Sequence, residues 1–82
     1  MNKFHAAINI KLRKNILDVQ GKTVQHALHS TDFPMIENVR IGKYVELDVE
    51  AENEEKAREI LTDACNKLIA NPIIEDFEIN FK

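Results

Sequence analysis

The chain has 82 residues and a net charge of −3, and its composition is 44% hydrophobic and 30% charged, with 2 glycines, 2 prolines and 1 cysteine. This length predicts one domain, residues 1–82. Two domains would each approach the ~40-residue size at which chains usually need disulfides, bound metals or oligomerisation to fold. The composition excludes collagenous, low-complexity and disordered chains, and the lone Cys65 excludes an internal disulfide and a cysteine-rich zinc site.

The first two elements are a strand and a short helix. From Phe4 to Leu12 the apolar residues fall on even positions and the polar residues on odd positions, with Ala7 as the exception. A period of two with one apolar side indicates a half-buried strand. Val24, Ala27 and Leu28 then recur at helical spacing and predict a helix over about residues 20–30, which the segment 31–34, ending in a proline, terminates.

Two strands are predicted on either side of Gly42. Val39 and Ile41 alternate with polar neighbours, and the alternation resumes from residue 45 to residue 49. Pairing Ile41 with Val45 keeps both apolar sets on one face and requires a three-residue loop over 42–44, or an equivalent bulge. We expect Gly42 to supply the positive φ angle of that turn.

The second helix has the longest periodic pattern in the chain. Asn53 is the predicted N-cap, and the stop signal is Asn71-Pro72. Its continuous apolar stripe comprises Ala57, Ile60, Leu61, Ala64, Cys65, Leu68 and Ile69. A last strand is predicted to begin at Ile73, with Phe77, Ile79 and Phe81 on its apolar side.

The element order β-α-β-β-α-β predicts an α+β, ferredoxin-like sandwich with both helices on one face of a four-stranded antiparallel sheet. The other face of the sheet stays uncovered and is a natural surface for another subunit. The residues predicted there are His5, Ala7, Asn9, Lys11, Asn38, Arg40, Glu46, Asp48, Glu78 and Asn80. Because a domain of this size has a small core, we expect self-association.

The charges are divided between the two halves of the chain, with a net +4 over residues 1–45 and −7 over residues 46–82. Such polarity suits docking to complementary protein surfaces, although an acidic second helix that simply stays solvated is the alternative. No apolar run approaches the ~18 residues of a membrane span and no signal-peptide pattern opens the sequence, so we expect a cytoplasmic protein.

The residues offer little catalytic chemistry. His26 and His29 are spaced to share a metal, but no further ligands have suitable spacing. Cys65 lies on the apolar stripe, where a thiol behaves as a small hydrophobe. The two glycines fit no phosphate-binding fingerprint. RNA binding requires aromatic residues on the central strands to stack bases, but the first strand offers only Phe4, on its apolar side, and the outward Glu46 and Asp48 would repel phosphates. We therefore expect an association module without catalytic, cofactor or metal residues and with no nucleic-acid partner.

Two stretches resemble a known family. Leu17-Asp18-Val19-Gln20-Gly21 followed by Val24-Gln25-His26-Ala27-Leu28-His29, and later Val39-Arg40-Ile41-Gly42-Lys43, are similar to the PurS family, the small subunit of bacterial phosphoribosylformylglycinamidine synthase. The resemblance runs essentially end to end. Two departures are Val19, where the family usually has proline, and the segment 31–34, which replaces a Leu-Gly-aromatic stretch.

The resemblance implies a non-catalytic subunit of a C–N bond-forming ligase in de novo purine biosynthesis. It implies a homodimer or higher oligomer that bridges an ATP-binding synthetase subunit and a glutaminase subunit and supports ammonia transfer between them. ATP, Mg and glutamine are then used by the whole complex and not bound by this chain. The candidate interface residues carried over are Asp18, Gln20, Gly21, His29, Arg40, Gly42 and Lys43, with Arg40 and Lys43 as donors to partner groups. The alternative is a free-standing ferredoxin-like dimer that binds a small-molecule effector.

Overall fold

The computed structural model of the protein describes residues 1–82. It is an α+β structure with three strands, two α-helices and one π-helical turn. The elements are β1 (Asn2–Leu12), α1 (Val19–His29), β2 (Lys43–Ala51), α2 (Glu54–Ala64), the π turn (Cys65–Ile69) and β3 (Glu75–Phe81). The strands form one sheet in the order β2-β1-β3, with both pairs antiparallel. None of the helices combines the length and apolar character that a membrane-spanning segment requires.

The core lies between the central strand and the second helix. Ala6, Ile8 and Ile10 of β1 are buried, as the alternation predicted, and they belong to one apolar cluster with Leu61 and Cys65. The neighbouring strands are less well covered, because Val45, Leu47 and Val49 of β2 are only half-buried against the same cluster. Ala7 was predicted on the open face but is 2% exposed. Its short side chain lies between Glu46 and Asn80 of the flanking strands, whose longer side chains can cover it.

The predicted fourth strand is not formed within the chain. Residues 38–42 belong to no strand, and the pairing of Ile41 with Val45 across a turn is wrong. The expected positive φ at Gly42 is also wrong, since neither glycine has one, and Asn38 is the residue in that region with φ at 57°. Without the reversal at Gly42, the segment 38–42 leads into β2 without folding back along it.

The prediction that both helices cover one face of the sheet is also wrong for the single chain. α2 packs against β2 and β3, whereas α1 makes hardly any contact with the other helices and strands. We call residues 13–42, which include α1, the arm. Because the arm stands apart from the sheet, the protein is elongated, with extents of 52 × 25 × 14 Å. Its radius of gyration is 16.4 Å, against about 12 Å for a compact chain of this length.

The π turn changes the phase of the second helix. Ala70 donates its N–H to the Cys65 carbonyl at 2.9 Å, five residues back, which inserts roughly one extra residue, or about 100° of rotation, into the helix. As a result Leu68, predicted on the apolar stripe, is 88% exposed, while Ala70 is buried. The last strand begins two residues later than predicted, and Ile73 is exposed in the turn before it.

Candidate interface: a side-chain clasp beside a basic groove

Four side chains hold the segment 36–41 against α1 and the β1–α1 loop, and we call them the clasp: Asp18, Gln25, His29 and Arg40. Asp18 is the N-cap of α1, where an aspartate satisfies an otherwise unpaired N–H. Its Oδ1 accepts the Gly21 N–H at 2.8 Å, and its Oδ2 accepts the Ile41 N–H at 2.6 Å. One carboxylate therefore joins the start of α1 to a residue 23 positions later in the chain.

The electrostatics of Asp18 follow from these bonds. The hydrogen bonds from the N–H groups of Ile41 and Gly21, with the nearby Arg40 charge, lower the pKa of Asp18 from 3.8, although desolvation opposes this. Hydrogen bonds to the ionised form favour that form. The Asp18 side chain is therefore an anion at neutral pH, although the residue is 4% exposed.

Gln25 and His29 hold the same segment from farther along α1. Oε1 of Gln25 accepts the Val39 N–H at 3.2 Å. Nε2 of His29 lies 2.6 Å from the Ile36 carbonyl oxygen, which fixes Nε2 as the protonated nitrogen that donates. The side chains of α1 and of its N-cap residue thus occupy the backbone groups of residues 36, 39 and 41.

Arg40 caps the carbonyl groups where β1 ends. Its guanidinium donates to the carbonyl oxygens of Arg13 at 2.9 Å and Ile16 at 3.1 Å, with a longer contact of 3.5 Å to Leu12. These carbonyls lie in a stretch where β2 no longer pairs with β1. The forked geometry of arginine suits several acceptors at once, so Arg40 stabilises the arm from within the chain.

Both glycines are placed by close backbone contacts. A Cβ atom at Gly21 would overlap the Val39 carbonyl oxygen and lie 2.8 Å from Asp18 Oδ2. A Cβ at Gly42 would lie 2.6 Å from the Ile10 carbonyl oxygen. Glycine is therefore needed because the backbone of Gly21 lies close to Val39 and that of Gly42 lies close to Ile10. Neither glycine is needed for a positive φ angle.

Lys43 and Gln20 complete the residues singled out in the sequence. Lys43 Nζ lies 3.4 Å from Oε2 of Glu75, whose side chain is 9% exposed. The other carboxylate oxygen of Glu75 accepts the Asn71 N–H at 2.7 Å. Gln20 is exposed in the first turn of α1. Of the seven candidates, the structure brings Asp18, Gly21 and Arg40 together and places Gln20 and Lys43 on the surface.

A basic groove of about 520 Å³ lies beside the clasp, between the end of β1 and residues 40–44. Its charged lining residues are Lys11, Lys14, Arg40 and Lys43. Lys43 is the one of these four cations that has a carboxylate partner within 4.0 Å. A groove with uncompensated positive charge attracts carboxylates and other anions and speeds their encounter.

No three His, Cys, Asp or Glu side chains are grouped as a metal would require. His29 is bonded to the backbone, and His26 is exposed on α1. Cys65 is fully buried, as its place on the apolar stripe predicted, and burial raises the pKa of its thiol.

Sequence reasoning missed two residues of this region. Gln25 belongs to the clasp through its bond with the Val39 N–H. A polar residue on the polar side of a helix fits the helical pattern whether or not it makes such a contact, so the sequence could not reveal it. Glu75 did have a signal, because it occupies the same parity as Phe77 and Ile79 on the apolar side of β3. An acid at an apolar parity position indicates a buried, paired carboxylate.

The protein is a small α+β chain with an extended arm, an open sheet and a charged groove. These features are typical of association modules, the class of proteins that bind other subunits. Comparison with known proteins gives the family. The model of the family described as PurS, phosphoribosylformylglycinamidine (FGAM) synthase, matches residues 5–82. The chain belongs to the PurS family.

Individual relatives agree along nearly the whole chain. The phosphoribosylformylglycinamidine synthase subunit PurS of Thermotoga maritima is 39% identical over 79 residues, which are 96% of this chain and 96% of that protein. The subunit of the same name from Methanocaldococcus jannaschii is 41% identical over 93% of this chain and 92% of its own length.

Solved structures agree as well. A chain in the structure of PurLQS from Thermotoga maritima superimposes with a TM-score of 0.89 at 38% identity, covering 100% of both chains. The structure of Bacillus subtilis PurS gives a TM-score of 0.86 at 35% identity, covering 96% of this chain and 98% of that one.

Proposed function

We propose that this protein is the PurS subunit of phosphoribosylformylglycinamidine synthase and acts in purine biosynthesis as an assembly subunit. One observation carries the proposal, namely that the chain matches, over its full length, a chain of a solved PurLQS complex at 38% identity. In this role the protein bridges an ATP-binding synthetase subunit and a glutaminase subunit in the cytoplasm and supports ammonia transfer between them. ATP, Mg and glutamine are bound by the partner chains.

The shape of the chain supports an assembly role. Its accessible surface is 6101 Å², whereas a compact monomer of this mass exposes about 5,000 Å². The arm adds exposed apolar side chains to that surface, among them Leu17 at 67%, Val19 at 68% and Met35 at 73% exposure. Surfaces of this kind are typical of proteins that are completed by partners, so we also propose a homodimer.

The candidate interface residues divide into two roles under this proposal. Asp18, Gly21, His29, Arg40 and Gly42 act indirectly, because their contacts fix the arm and shape the groove. Gln20, Lys43 and the groove lysines Lys11 and Lys14 are left to contact a partner. A partner segment rich in carboxylates fits this groove by charge.

Reconstitution with the two partner subunits tests the proposal. The purified chain alone should show no ATPase and no glutaminase activity, and adding it to the synthetase and glutaminase subunits should restore glutamine-dependent amidine formation. Light scattering should give a dimer for the chain alone and a larger complex for the mixture. Turnover by the isolated chain, or calorimetric binding of an amino acid or nucleotide without partners, would contradict an assembly subunit and favour a free-standing sensor.

A further inference from the structure

The outer edge of β3 has no neighbouring strand, because β3 lies at one end of the sheet order β2-β1-β3. Lys82, directly after β3, donates its N–H to the His5 carbonyl at 2.9 Å. By the alternation of an antiparallel pair, the even residues of β3 direct their backbone groups toward β1. The N–H and C=O groups of Phe77, Ile79 and Phe81 therefore point away from the sheet, over a run of about 14 Å.

One side chain of α2 already contacts this edge. Arg58 Nη1 donates to the Ile79 carbonyl oxygen at 3.4 Å, and the guanidinium carbon lies 5.0 Å from the centroid of the Phe81 ring. A 3.4 Å contact is longer than a usual N–H···O bond, so an incoming backbone N–H can replace it. The N–H groups of Phe77, Ile79 and Phe81 have no acceptor within the chain. The edge therefore offers both donors and acceptors to another backbone.

β3 lacks features that usually keep an edge strand from pairing. It contains no proline and no lysine, and its pairing with β1 continues from Glu75 to Phe81 without a bulge. The exposed charged side chains of the strand, Asp76 and Glu78, are both acidic. The charge of an incoming segment therefore decides whether it fits.

Carboxylates flank the edge on both faces of the sheet. On the open face, Glu78 has no cation within 4.0 Å. On the helix face, Arg58 lines a groove of about 480 Å³ together with Glu55, Glu59 and Asp63 of α2. Glu55 also has no cation within 4.0 Å, whereas Glu59 and Asp63 pair with lysines. Because Arg58 reaches the edge of β3, this acidic groove adjoins it.

We propose that the outer edge of β3 binds an extended segment of one partner subunit as an added strand, with basic and apolar residues alternating along that segment. This inference rests on the proposed assembly role and assigns a surface to one partner. Backbone bonds to Phe77, Ile79 and Phe81 give affinity, and alternate side chains give specificity. The basic side chains face Asp76 and Glu78 on the open face. The apolar ones face Phe77 and Phe81, which are only half-buried on the helix face.

The edge of β3 and the basic groove are separate surfaces of opposite charge. The basic groove lies between the end of β1 and residues 40–44, whereas β3 forms the opposite edge of the sheet from β2. A bridging subunit has to bind two different chains. Surfaces of opposite charge direct each partner to its own site, because like-charge contacts are unfavourable. The net +4 and −7 of the two halves of the chain fit this division.

A second copy of the chain is less suited to this edge. Pairing two β3 edges around a two-fold axis perpendicular to the sheet keeps the helices of both copies on one face. The acidic groove of one copy would then lie beside the acidic groove of the other, which like-charge repulsion disfavours. A basic segment of a partner meets no such repulsion.

Residue-resolved hydrogen exchange tests the pairing with the full chain. The synthetase subunit and the glutaminase subunit are added separately and then together, under conditions that restore amidine formation. The amides of Phe77, Ile79 and Phe81 should exchange at least about 100-fold more slowly in the complex than in the chain alone. The amides of Glu78 and Asn80 are the control, because they already bond to β1 and should be protected in both states.

Charge reversal gives a second, independent test. Glu78→Lys should weaken binding of the partner subunit that protects the edge by about 3- to 10-fold, as measured by surface plasmon resonance. Glu50→Lys is the matched control, since it makes the same change in net charge at an exposed position of β2. Both variants should keep the fold by circular dichroism. An equal loss of affinity in the two variants would overturn the assignment of a basic segment to this edge.

The outcomes separate this inference from the proposed function. An active complex in which the amides of Phe77, Ile79 and Phe81 stay as accessible as in the chain alone overturns the edge pairing and leaves the assembly role standing. Protection in the chain alone that rises with protein concentration assigns the edge to a second copy and also overturns it. Failure to bind either partner subunit overturns both proposals. Protection that requires a partner, with the selective effect of Glu78→Lys, supports the edge pairing.

Discussion

The carboxylate of Asp18 accepts the N–H of Ile41 at 2.6 Å and so ties the start of α1 to the strand-like segment that precedes β2. The same carboxylate caps α1 through Gly21. Because the buried side chain of Asp18 makes both bonds, the conformation of the arm depends on the charge of this carboxylate and on the space around it.

The pKa of Asp18 predicts an acid-sensitive arm. This pKa is lowered in the folded protein, chiefly by the Ile41 and Gly21 hydrogen bonds, so ionised Asp18 contributes stability at pH values above its unfolded value of about 3.8. That contribution should be lost as the pH falls below about 4 and the carboxyl protonates in the folded state. Urea unfolding of the wild type and of Asp18→Asn across pH 3–7 checks this. The two should differ most at neutral pH and converge at low pH, and a constant difference would contradict it.

Gly21→Ala should destabilise the protein, although it lies in a helix. Replacing glycine by alanine in a helix interior usually stabilises by about 1 kcal/mol. Here the new Cβ would overlap the Val39 carbonyl oxygen and crowd the Asp18 carboxylate, so the sign should reverse. Thermal unfolding should show a lower Tm for Gly21→Ala and a nearly unchanged Tm for Gln20→Ala, an exposed neighbour in the same turn. An increased Tm for Gly21→Ala would show that the segment around Val39 lies farther from α1.

Arg40→Lys should weaken the arm while keeping the charge. A lysine cannot reach the Arg13 and Ile16 carbonyls in the same forked geometry. We expect a loss of about 0.5–1.5 kcal/mol, since the released carbonyls lie near the surface and can bond to water. Hydrogen exchange should rise across residues 12–18 and 36–42 and stay constant in β3. If stability is unchanged and binding to the partner subunits falls, Arg40 acts instead as a direct interface donor.

Lys14→Glu should slow association with the partner subunits. The substitution reverses one charge of the basic groove, where Lys14 has no carboxylate partner, and mutation of such charges changes mainly the association rate and its salt dependence. Surface plasmon resonance at low and physiological salt would measure both. Lys67→Glu is the control, because that lysine lies on the acidic helix and pairs with Asp63. An equal effect in both variants would point to net charge and not to the groove.

Leu61 and Leu68 should differ sharply although both belong to the predicted apolar stripe. Leu61 is 3% exposed and Leu68 is 88% exposed. Leu61→Ala should cost about 2–5 kcal/mol through lost burial and a cavity, whereas Leu68→Ala should change stability by less than about 0.5 kcal/mol. Chemical unfolding of the two variants compares these values directly. Similar losses for both would mean that the helix keeps an α-helical phase past Cys65.

Local patterns in the sequence determined five of the six predicted elements, three strands and two helices, and where most of them end. Alternation along residues 4–12 and helical spacing in both helices depend on neighbouring residues alone, which is why β1, α1 and α2 agree closely with expectation. The N-cap Asn53 was likewise readable, since its side chain accepts the Lys56 N–H at 2.8 Å. The motif around Asp18 and Arg40 indicated the family, and the comparisons confirmed it.

Only the tertiary structure decided how those elements meet. Residues 38–42 could pair with β2 or bond to Asp18 and Gln25, and the structure has the second arrangement. Because the bonded residues lie 14–23 positions apart, the choice between the two leaves no periodic pattern in the sequence. The exposure of Leu68 depends on the π turn over Cys65–Ile69, closed by the hydrogen bond from Ala70 to Cys65, which shifts the helix by roughly one residue. Local sequence specifies backbone preference, but long-range hydrogen bonds and packing choose among the arrangements that those preferences allow.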